Sequence, residues 1–280
     1  MIGTHNKRLC AVLLGLLVAQ LLALTPRLAA AESILQVLPT RVVLAGNKRS
    51  MTVTLINRGD SDGSYRMFFR NIRADENGQF TEVETAVEGE LFADNMVRFS
   101  PRRITVPARS KQSIRVLARK PQDLADGEYR SHLVFRKLPS QNSVLDQATE
   151  DDGIGFSLRP IVEVTIPVIV RHGTISAELA LSEPTIIDAE NGKEFQFKIH
   201  RQGKRSLYGD VDVWWVDDKG NRSSLAMARG ISVYTPNTHR IFRLPLETDP
   251  TTLAPGKIML EYREDPAYGG DQQAVLEKTI

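Results

Sequence analysis

An all-β fold, laid out as two β-sandwiches in tandem, is predicted by three observations. Short segments alternating apolar and polar residues recur along almost the whole chain, the period of a strand with one buried face. Clusters of Gly, Asp, Asn and Ser separate them at the regular spacing of sandwich strands. No persuasive amphipathic helix follows residue 31.

The first segment stands apart. Lys7 and Arg8 precede the apolar run 9–24, and Ala29-Ala30-Ala31 stands before Glu32; this is the three-part layout of a secretory signal peptide. An uncleaved anchor is the alternative, because the run is near the lower length for spanning a bilayer. Pro26 and the alanine triplet favour cleavage, so residues 1–31 are expected to leave, taking Cys10, the only cysteine, with them. No disulfide or thiol chemistry is then expected in the mature chain.

Strands are expected over residues 42–44, 51–57, 65–72, 96–99, 103–106, 113–117 and 129–135, with Arg58-Gly59-Asp60-Ser61-Asp62-Gly63 and Asp75-Glu76-Asn77-Gly78 as turns. After Arg171-His172-Gly173 the pattern restarts, with strands over 175–181, 195–199, 211–216, 230–234, 240–246, 257–262 and 273–276 and a hairpin turn at Asp217-Asp218-Lys219-Gly220. The expected division is a first sandwich over 32–172 and a second over 173–280, each within the ordinary domain range. A join this short predicts a fixed angle between them.

Residues 155–171, Gly-Phe-Ser-Leu-Arg-Pro-Ile-Val-Glu-Val-Thr-Ile-Pro-Val-Ile-Val-Arg, form a strand-like run far longer than the usual five or six residues or so. Such a run either crosses two sheets or presents a bare edge, which soluble proteins suppress unless a partner uses it. Phe156, Leu158 and Val162 share one face and are the candidates for insertion into a partner, the alternative being that they pack on their own sheet. Val164, Ile166, Val168 and Val170 are expected in the core. Pro160 and Pro167 each remove a ladder donor, which suits an edge. The polar stretch 139–153 lies outside any strand pattern, and ordering on partner binding is expected of it.

Chemistry is sparse. Lys and Arg number 36 against 34 Asp and Glu, interspersed without a basic stripe, so no nucleic-acid partner is expected. His132, His172, His200 and His239 are isolated, without metal-ligand spacing. Asp60-Ser61-Asp62-Gly63 opens like a calcium loop but supplies no later ligands. No nucleophile elbow or phosphate-cradling loop appears. Asp151-Asp152 and Asp217-Asp218 are adjacent instead of opposed. Of Trp214 and Trp215, consecutive on a strand, one must face inward. The chain is therefore read as a binding protein without cofactor, metal or catalytic residues.

Pro39-Thr40-Arg41-Val42-Val43-Leu44, Phe99-Ser100-Pro101-Arg102-Arg103-Ile104-Thr105-Val106-Pro107 with Lys111-Gln112-Ser113-Ile114-Arg115-Val116, and Gly127 through Phe135 resemble the amino-terminal domain of PapD-like periplasmic pilus-assembly chaperones. The resemblance covers most of residues 34–172. The second half is more divergent, with Tyr268-Gly269-Gly270 before a final strand similar to that family's carboxy-terminal domain.

The resemblance implies two immunoglobulin-like sandwiches in a boomerang arrangement, acting in the periplasm. It implies a chaperone that completes a pilin fold lacking its last strand and delivers the pilin or fimbrial subunit to an outer-membrane usher-type platform. It also implies that a basic pair holds the subunit's terminal carboxylate. Arg41 stands at the first position of that pair; the second, a lysine in the family, is Pro167 here. Arg171 is the candidate replacement, an ordinary surface charge being the alternative. Arg115 and Glu128, with Asp265 as a looser third, resemble a charge network orienting the two domains. A self-capped dimer through the long edge is expected of the free protein. The competing reading is a secreted two-sandwich adhesion or structural module using the same edge for a permanent partner; a carbohydrate-active enzyme lacks a catalytic pair.

Overall fold

Eighteen strands account for most of the described residues, which are 32–139, 161–253 and 255–279 of a computed structural model. The expected signal segment, most of the polar stretch 139–153, and Phe156, Leu158 and Pro160 lie outside them. The strands of the first half are β1 (Leu35–Leu38), β2 (Val42–Leu44), β3 (Ser50–Asn57), β4 (Gly63–Arg70), β5 (Ile72–Ala74), β6 (Phe80–Glu82), β7 (Val97–Ser100), β8 (Arg103–Val106), β9 (Lys111–Ala118), β10 (Gly127–Lys137) and β11 (Glu163–His172). The second half carries β12 (Ala177–Ala189), β13 (Gly192–Gly203), β14 (Leu207–Asp217), β15 (Arg222–Val233), β16 (His239–Pro245), β17 (Gly256–Glu264) and β18 (Gln273–Thr279). There is no α-helix among the described residues, and no helix there is long and apolar enough to cross a membrane.

Each half is a sandwich because alternate residues of two sheets meet in one core. In the first, the sheet β1-β3-β9-β7 faces the sheet β2-β11-β10-β4-β8. Val53 and Leu55 of β3 and Ile114 and Val116 of β9 pack with Leu44 of β2, Leu133 and Phe135 of β10, and Ile166, Val168 and Val170 of β11. Val164 packs against the same core, partly buried. In the second, β12-β13-β16 faces β15-β14-β17-β18 over Phe195, Phe197, Val213, Trp215, Phe242, Leu260 and Tyr262. Trp215 is the inward-facing tryptophan, and its neighbour Trp214 is half-buried.

Strand β1 (Leu35–Leu38) has no counterpart in the expected pattern, and three further regions differ from it, each for a local reason. Residues 65–72 do not form one strand: β4 ends at Arg70, and β5 turns away to pair with β6 in a separate two-stranded hairpin. Strand β12 runs on to Ala189, past Pro184, through a register irregularity between Ser182 and Thr185 with Glu183 at φ 52°; a bulge carries a strand past a residue that cannot donate to the ladder. Strand β15 begins at Arg222 instead of near 230, although its Ser and Ala residues favour strands poorly, because it pairs with β14 along its length. The turn between β14 and β15 falls where expected: Asp217 Oδ1 accepts from the Lys219 and Asn221 amides at 2.9 and 2.8 Å, and Gly220 takes φ 83°.

Candidate functional site

Two features of the sheet β2-β11-β10-β4-β8 stand out, its open edge and its outer face. Strand β11 pairs with β10 from Glu163 to His172, but its other neighbour, β2, reaches only Val168 to Val170. Among the described residues Glu163 to Pro167 therefore have a ladder on one side only. Pro167, opposite His132, falls in this half-paired stretch. Just ahead of it Ile161 and Val162 are 70% and 54% exposed. The Lys137 amide still bonds to the Val162 carbonyl at 3.0 Å, so the extended chain is already docked there. Val162, of the donor candidates the one within the described residues, lines an apolar cavity of about 220 Å³ with Leu35, Tyr65, Phe135 and Val164. Glu163 anchors the start of the strand through Arg70 Nη1 at 2.8 Å and Arg136 Nε at 2.6 Å. Burial opposes its charged form, yet the two guanidiniums hold its carboxyl below the usual range.

The outer face is set by alternation. Core positions of β2, β10 and β11 leave Arg41 and Val43, then Glu128, Arg130 and His132, then Pro167, Ile169 and Arg171 on the opposite side. An alternating polar set on a strand reads as a solvated face, but here the second half and the β5–β6 hairpin together cover it. Glu128, Arg130 and His132 are 2%, 5% and 5% exposed. Val43 and Ile169 pack with Ala74 of β5 and with Tyr234, which follows β15.

Arg41 lies in that junction, 4% exposed. Its Nη2 donates to Ser232 Oγ at 2.6 Å and to the Tyr234 hydroxyl at 2.8 Å, and its guanidinium carbon stands 3.8 Å from the centre of the Tyr208 ring. Arg130 stacks 4.0 Å from the centre of the Tyr234 ring, with Nη1 and Nη2 donating to the carbonyls of Thr235 and Ile72 at 3.4 and 3.3 Å. Burial pulls the Arg130 pKa below its ordinary value, although the nearby Tyr234, Glu128 and Glu90 act the other way. Among the described residues neither arginine bonds to a carboxylate, and the Nε of each, with His132 Nδ1, is buried without a hydrogen-bond partner. Burial, reinforced by the Arg130 and Arg41 charges, pushes the His132 pKa down to about 3, so its ring is neutral.

Arg171 has a different setting. It donates from Nε to Glu128 Oε2 at 2.9 Å and from Nη1 to the Tyr268 carbonyl at 2.6 Å. The other Glu128 oxygen accepts a short hydrogen bond from Ser206, whose Oγ in turn accepts from the Thr235 amide at 3.1 Å. Beside it Arg205 makes a two-bond pair with Glu264 at 2.7 and 2.9 Å, the geometry in which a guanidinium binds a carboxylate most strongly. Burial disfavours the Arg205 charge, but Glu264 outweighs it and leaves the Arg205 pKa raised.

The structure thus brings Glu128 to Arg171 and Ser206, and does not bring Arg115, Glu128 and Asp265 together. Arg115 is exposed on β9, within 3.2 Å of Ser50 Oγ, and Asp265 caps the short 3-10 turn Pro266–Tyr268 by accepting from the Ala267 amide at 2.9 Å. Arg130 and Ser206 carry no mark as site residues in the sequence, and His132, an isolated histidine without metal-ligand spacing there, proves to be a buried member of this face; the alternation of Glu128, Arg130 and His132 along a strand otherwise rich in core residues is the available signal. His200 and His239, isolated in sequence, are register partners on β13 and β16 with ring centres 5.9 Å apart. No group of three potential metal ligands occurs among the described residues.

Fold and site together define a two-sandwich β protein with one half-paired strand edge and a face of buried guanidiniums between its halves. No protein-family model matches the chain, and no characterised relative matches its sequence. Among solved structures it is similar to a chain of the CsuC–CsuE chaperone–tip adhesion subunit pre-assembly complex from the archaic chaperone-usher Csu pili of Acinetobacter baumannii, at 13% identity, a TM-score of 0.46, and coverage of 87% of this chain and 97% of that one. It is also similar to the CupB2 chaperone of Pseudomonas aeruginosa, at 13% identity, a TM-score of 0.43, and coverage of 88% and 100%. The E. coli chaperone DraB is similar at 14% identity, a TM-score of 0.45, and coverage of 87% and 96%.

Proposed function

We propose that this chain is an exported, non-enzymatic chaperone that binds pilin-like subunits in the periplasm by lending them the strand edge that leads into β11. The observation that carries the reading is the half-paired edge itself: Glu163 to Pro167 pair on one side only, and Ile161 and Val162 ahead of them are exposed. A subunit groove lacking a strand would complete its ladder on this edge, with alternate apolar side chains, Phe156, Leu158 and Val162, supplying the missing core. The PapD-like motifs of the first half support the same reading. In it, residues 32–172 and 173–280 are two domains, Arg41 holds the subunit's terminal carboxylate, and Arg171, committed to Glu128, serves the junction between the halves. Delivery to an outer-membrane usher-type platform and self-capping of the free protein through the same edge complete the proposal.

The test is affinity isolation of the tagged mature protein from the periplasm of its native host, with mass spectrometry of what accompanies it. Recovery of small exported β-rich subunits, lost in the double variant Phe156→Asp, Leu158→Asp, is the expected result. A protein that comes down alone, or with an unrelated surface complex indifferent to those changes, overturns the chaperone reading in favour of a structural module.

A further inference from the structure

His200 and His239 are far apart in the sequence, and the ladder between β13 and β16 brings them together. The Arg201 amide bonds to the Thr238 carbonyl at 2.7 Å, which makes Arg201 and Thr238 a hydrogen-bonded pair of an antiparallel ladder. The adjacent pair, His200 and His239, is then of the other kind, in which the two side chains stand closer. Phe197, Ile199 and Phe242 point into the core, so alternation places both imidazoles on the outer face of the sheet. Their ring centres are 5.9 Å apart and their planes 36° from each other.

Each ring is already held by one nitrogen. His200 Nε2 lies 2.6 Å from Ser182 Oγ on β12. His239 Nε2 lies 3.3 Å from Glu76 Oε2, in the turn between β5 and β6 of the first half, and the Glu76 carbonyl accepts from the Ile241 amide at 2.8 Å. That leaves Nδ1 on each ring. His239 Nδ1 has the Thr238 hydroxyl at 3.4 Å, and His200 Nδ1 has no hydrogen bond among the described residues. A cavity of about 620 Å³, lined by His200 with Glu178, Gln202 and Thr238, gives access to this face. An imidazole fixed at its far nitrogen by a hydroxyl or a carboxylate presents the near one in a set tautomer and direction, as metal-bound histidines do. Two rings sharing one ion at about 2.0–2.1 Å per nitrogen have centres about 5–6 Å apart, the spacing found here.

We propose that His200 and His239 form a two-imidazole seat for a divalent transition-metal ion, bound through Nδ1 of each ring, with Ser182 and Glu76 as outer partners and water in the remaining positions. Imidazole suits zinc, copper and nickel and not magnesium or calcium, and Cu2+ is held above Zn2+. Two protein ligands, in place of the four of a structural zinc centre, make this an exchangeable site that the fold does not need. An ion on Nδ1 draws electron density from the ring, so that the His239 Nε2–H donates more strongly to Glu76. Because the Glu76 carbonyl also receives the Ile241 amide, the loaded site pins the β5–β6 hairpin of the first half onto β16 of the second. The inference owes nothing to the chaperone reading.

The test is titration of the untagged, 15N-labelled mature chain with ZnCl2, following the histidine ring nitrogens by NMR, with MgCl2 as the control. His132 and His172 serve as internal references. The Nδ1 signals of His200 and His239 are expected to move along one saturation curve with zinc, those of His132 and His172 to stay in place, and magnesium to move none. Calorimetry should show CuCl2 binding more tightly than ZnCl2. His200→Gln is expected to abolish the shared curve, and Glu76→Gln to keep both rings responsive while weakening zinc binding about tenfold, the loss expected for an outer partner of a ligating histidine. Hydrogen exchange of the Ile241 amide should slow on adding zinc to the parent and remain unchanged in Glu76→Gln. Should His200→Gln fail to fold, the parent's ring signals and Glu76→Gln decide the matter. A His172 response equal to that of the pair, movement of one ring of the pair alone, or parental zinc affinity in a folded His200→Gln overturns the seat; coordination through Nε2 of both rings overturns the roles given to Ser182 and Glu76.

Discussion

Glu128 shows how much one buried charge can hold. Both its oxygens are used, by Arg171 and by Ser206, and these partners come from the two halves of the chain. Removing one member of a buried pair leaves the other uncompensated, at a cost of about 3–5 kcal/mol. Glu128→Ala is therefore expected to lower the unfolding free energy by about that amount in denaturant titration, and Arg171→Ala by a similar amount. The double variant should fall well short of the sum, since the second change removes a charge already stranded. Additive losses would mean that the two side chains act independently. His132 gives a second prediction, with its sign fixed by burial. Its pKa is about 3 in the folded chain against an ordinary 6.5, so the unfolded chain takes up a proton that the folded one refuses. The stability associated with neutral His132 is fully present above about pH 6.5 and is lost at about 1.4 kcal/mol per unit as pH falls toward 3. Urea titrations of His132→Gln between pH 7 and 4 should show a correspondingly flatter decline than the parent, and parallel curves would refute this assignment.

Strand β11 divides into two parts with different duties. Its later residues are core: Ile166, Val168 and Val170 are almost fully buried between the sheets, and Ile166→Ala is expected to cost about 2–5 kcal/mol. Val162 shares their alternation but stands beyond the paired region, more than half exposed. Val162→Asp is accordingly expected to leave stability within about 0.5 kcal/mol and, on the chaperone function proposed above, to abolish subunit capture, and equal losses of stability at 162 and 166 would count against the edge as a free binding element. The strands themselves were legible because period two, turn residues and β-branched content agree across most elements. The hairpin β5–β6 was not, since β6 buries none of its residues and so shows no alternation to read. Nor was the true partner of Glu128. The pairing of Glu128 with Arg171 is a register relation between β10 and β11, and register follows from the assembled sheet instead of from either strand alone.

At the scale of the whole molecule, the two halves meet through aromatic and charged side chains more than through a shared apolar core. Each half has its own core, and the small third cluster of Val43, Ala74, Ile169 and Tyr234 is the apolar bridge between them. Tyr234 is its centre: it bonds to Arg41, carries the Arg130 guanidinium on its ring, and touches Phe80 of the hairpin. A junction of this kind couples two sandwiches strongly, because separating the halves strips Arg41 of Ser232, Tyr234 and Tyr208, Glu128 of Ser206, and Arg171 of the Tyr268 carbonyl. The wild-type chain is therefore expected to unfold in a single calorimetric transition. Tyr234→Ala removes the apolar bridge, two cation–π contacts and the hydroxyl held by Arg41, about 3–5 kcal/mol for the truncation of a large buried aromatic. It should split the transition into two, one for each sandwich, with the core of each retained. A Tyr234→Ala variant that still melts in one step, merely at lower temperature, would place the coupling elsewhere, in the Glu128–Arg171–Ser206 bonds. The same variant made together with Glu128→Ala would then be the one expected to separate the halves.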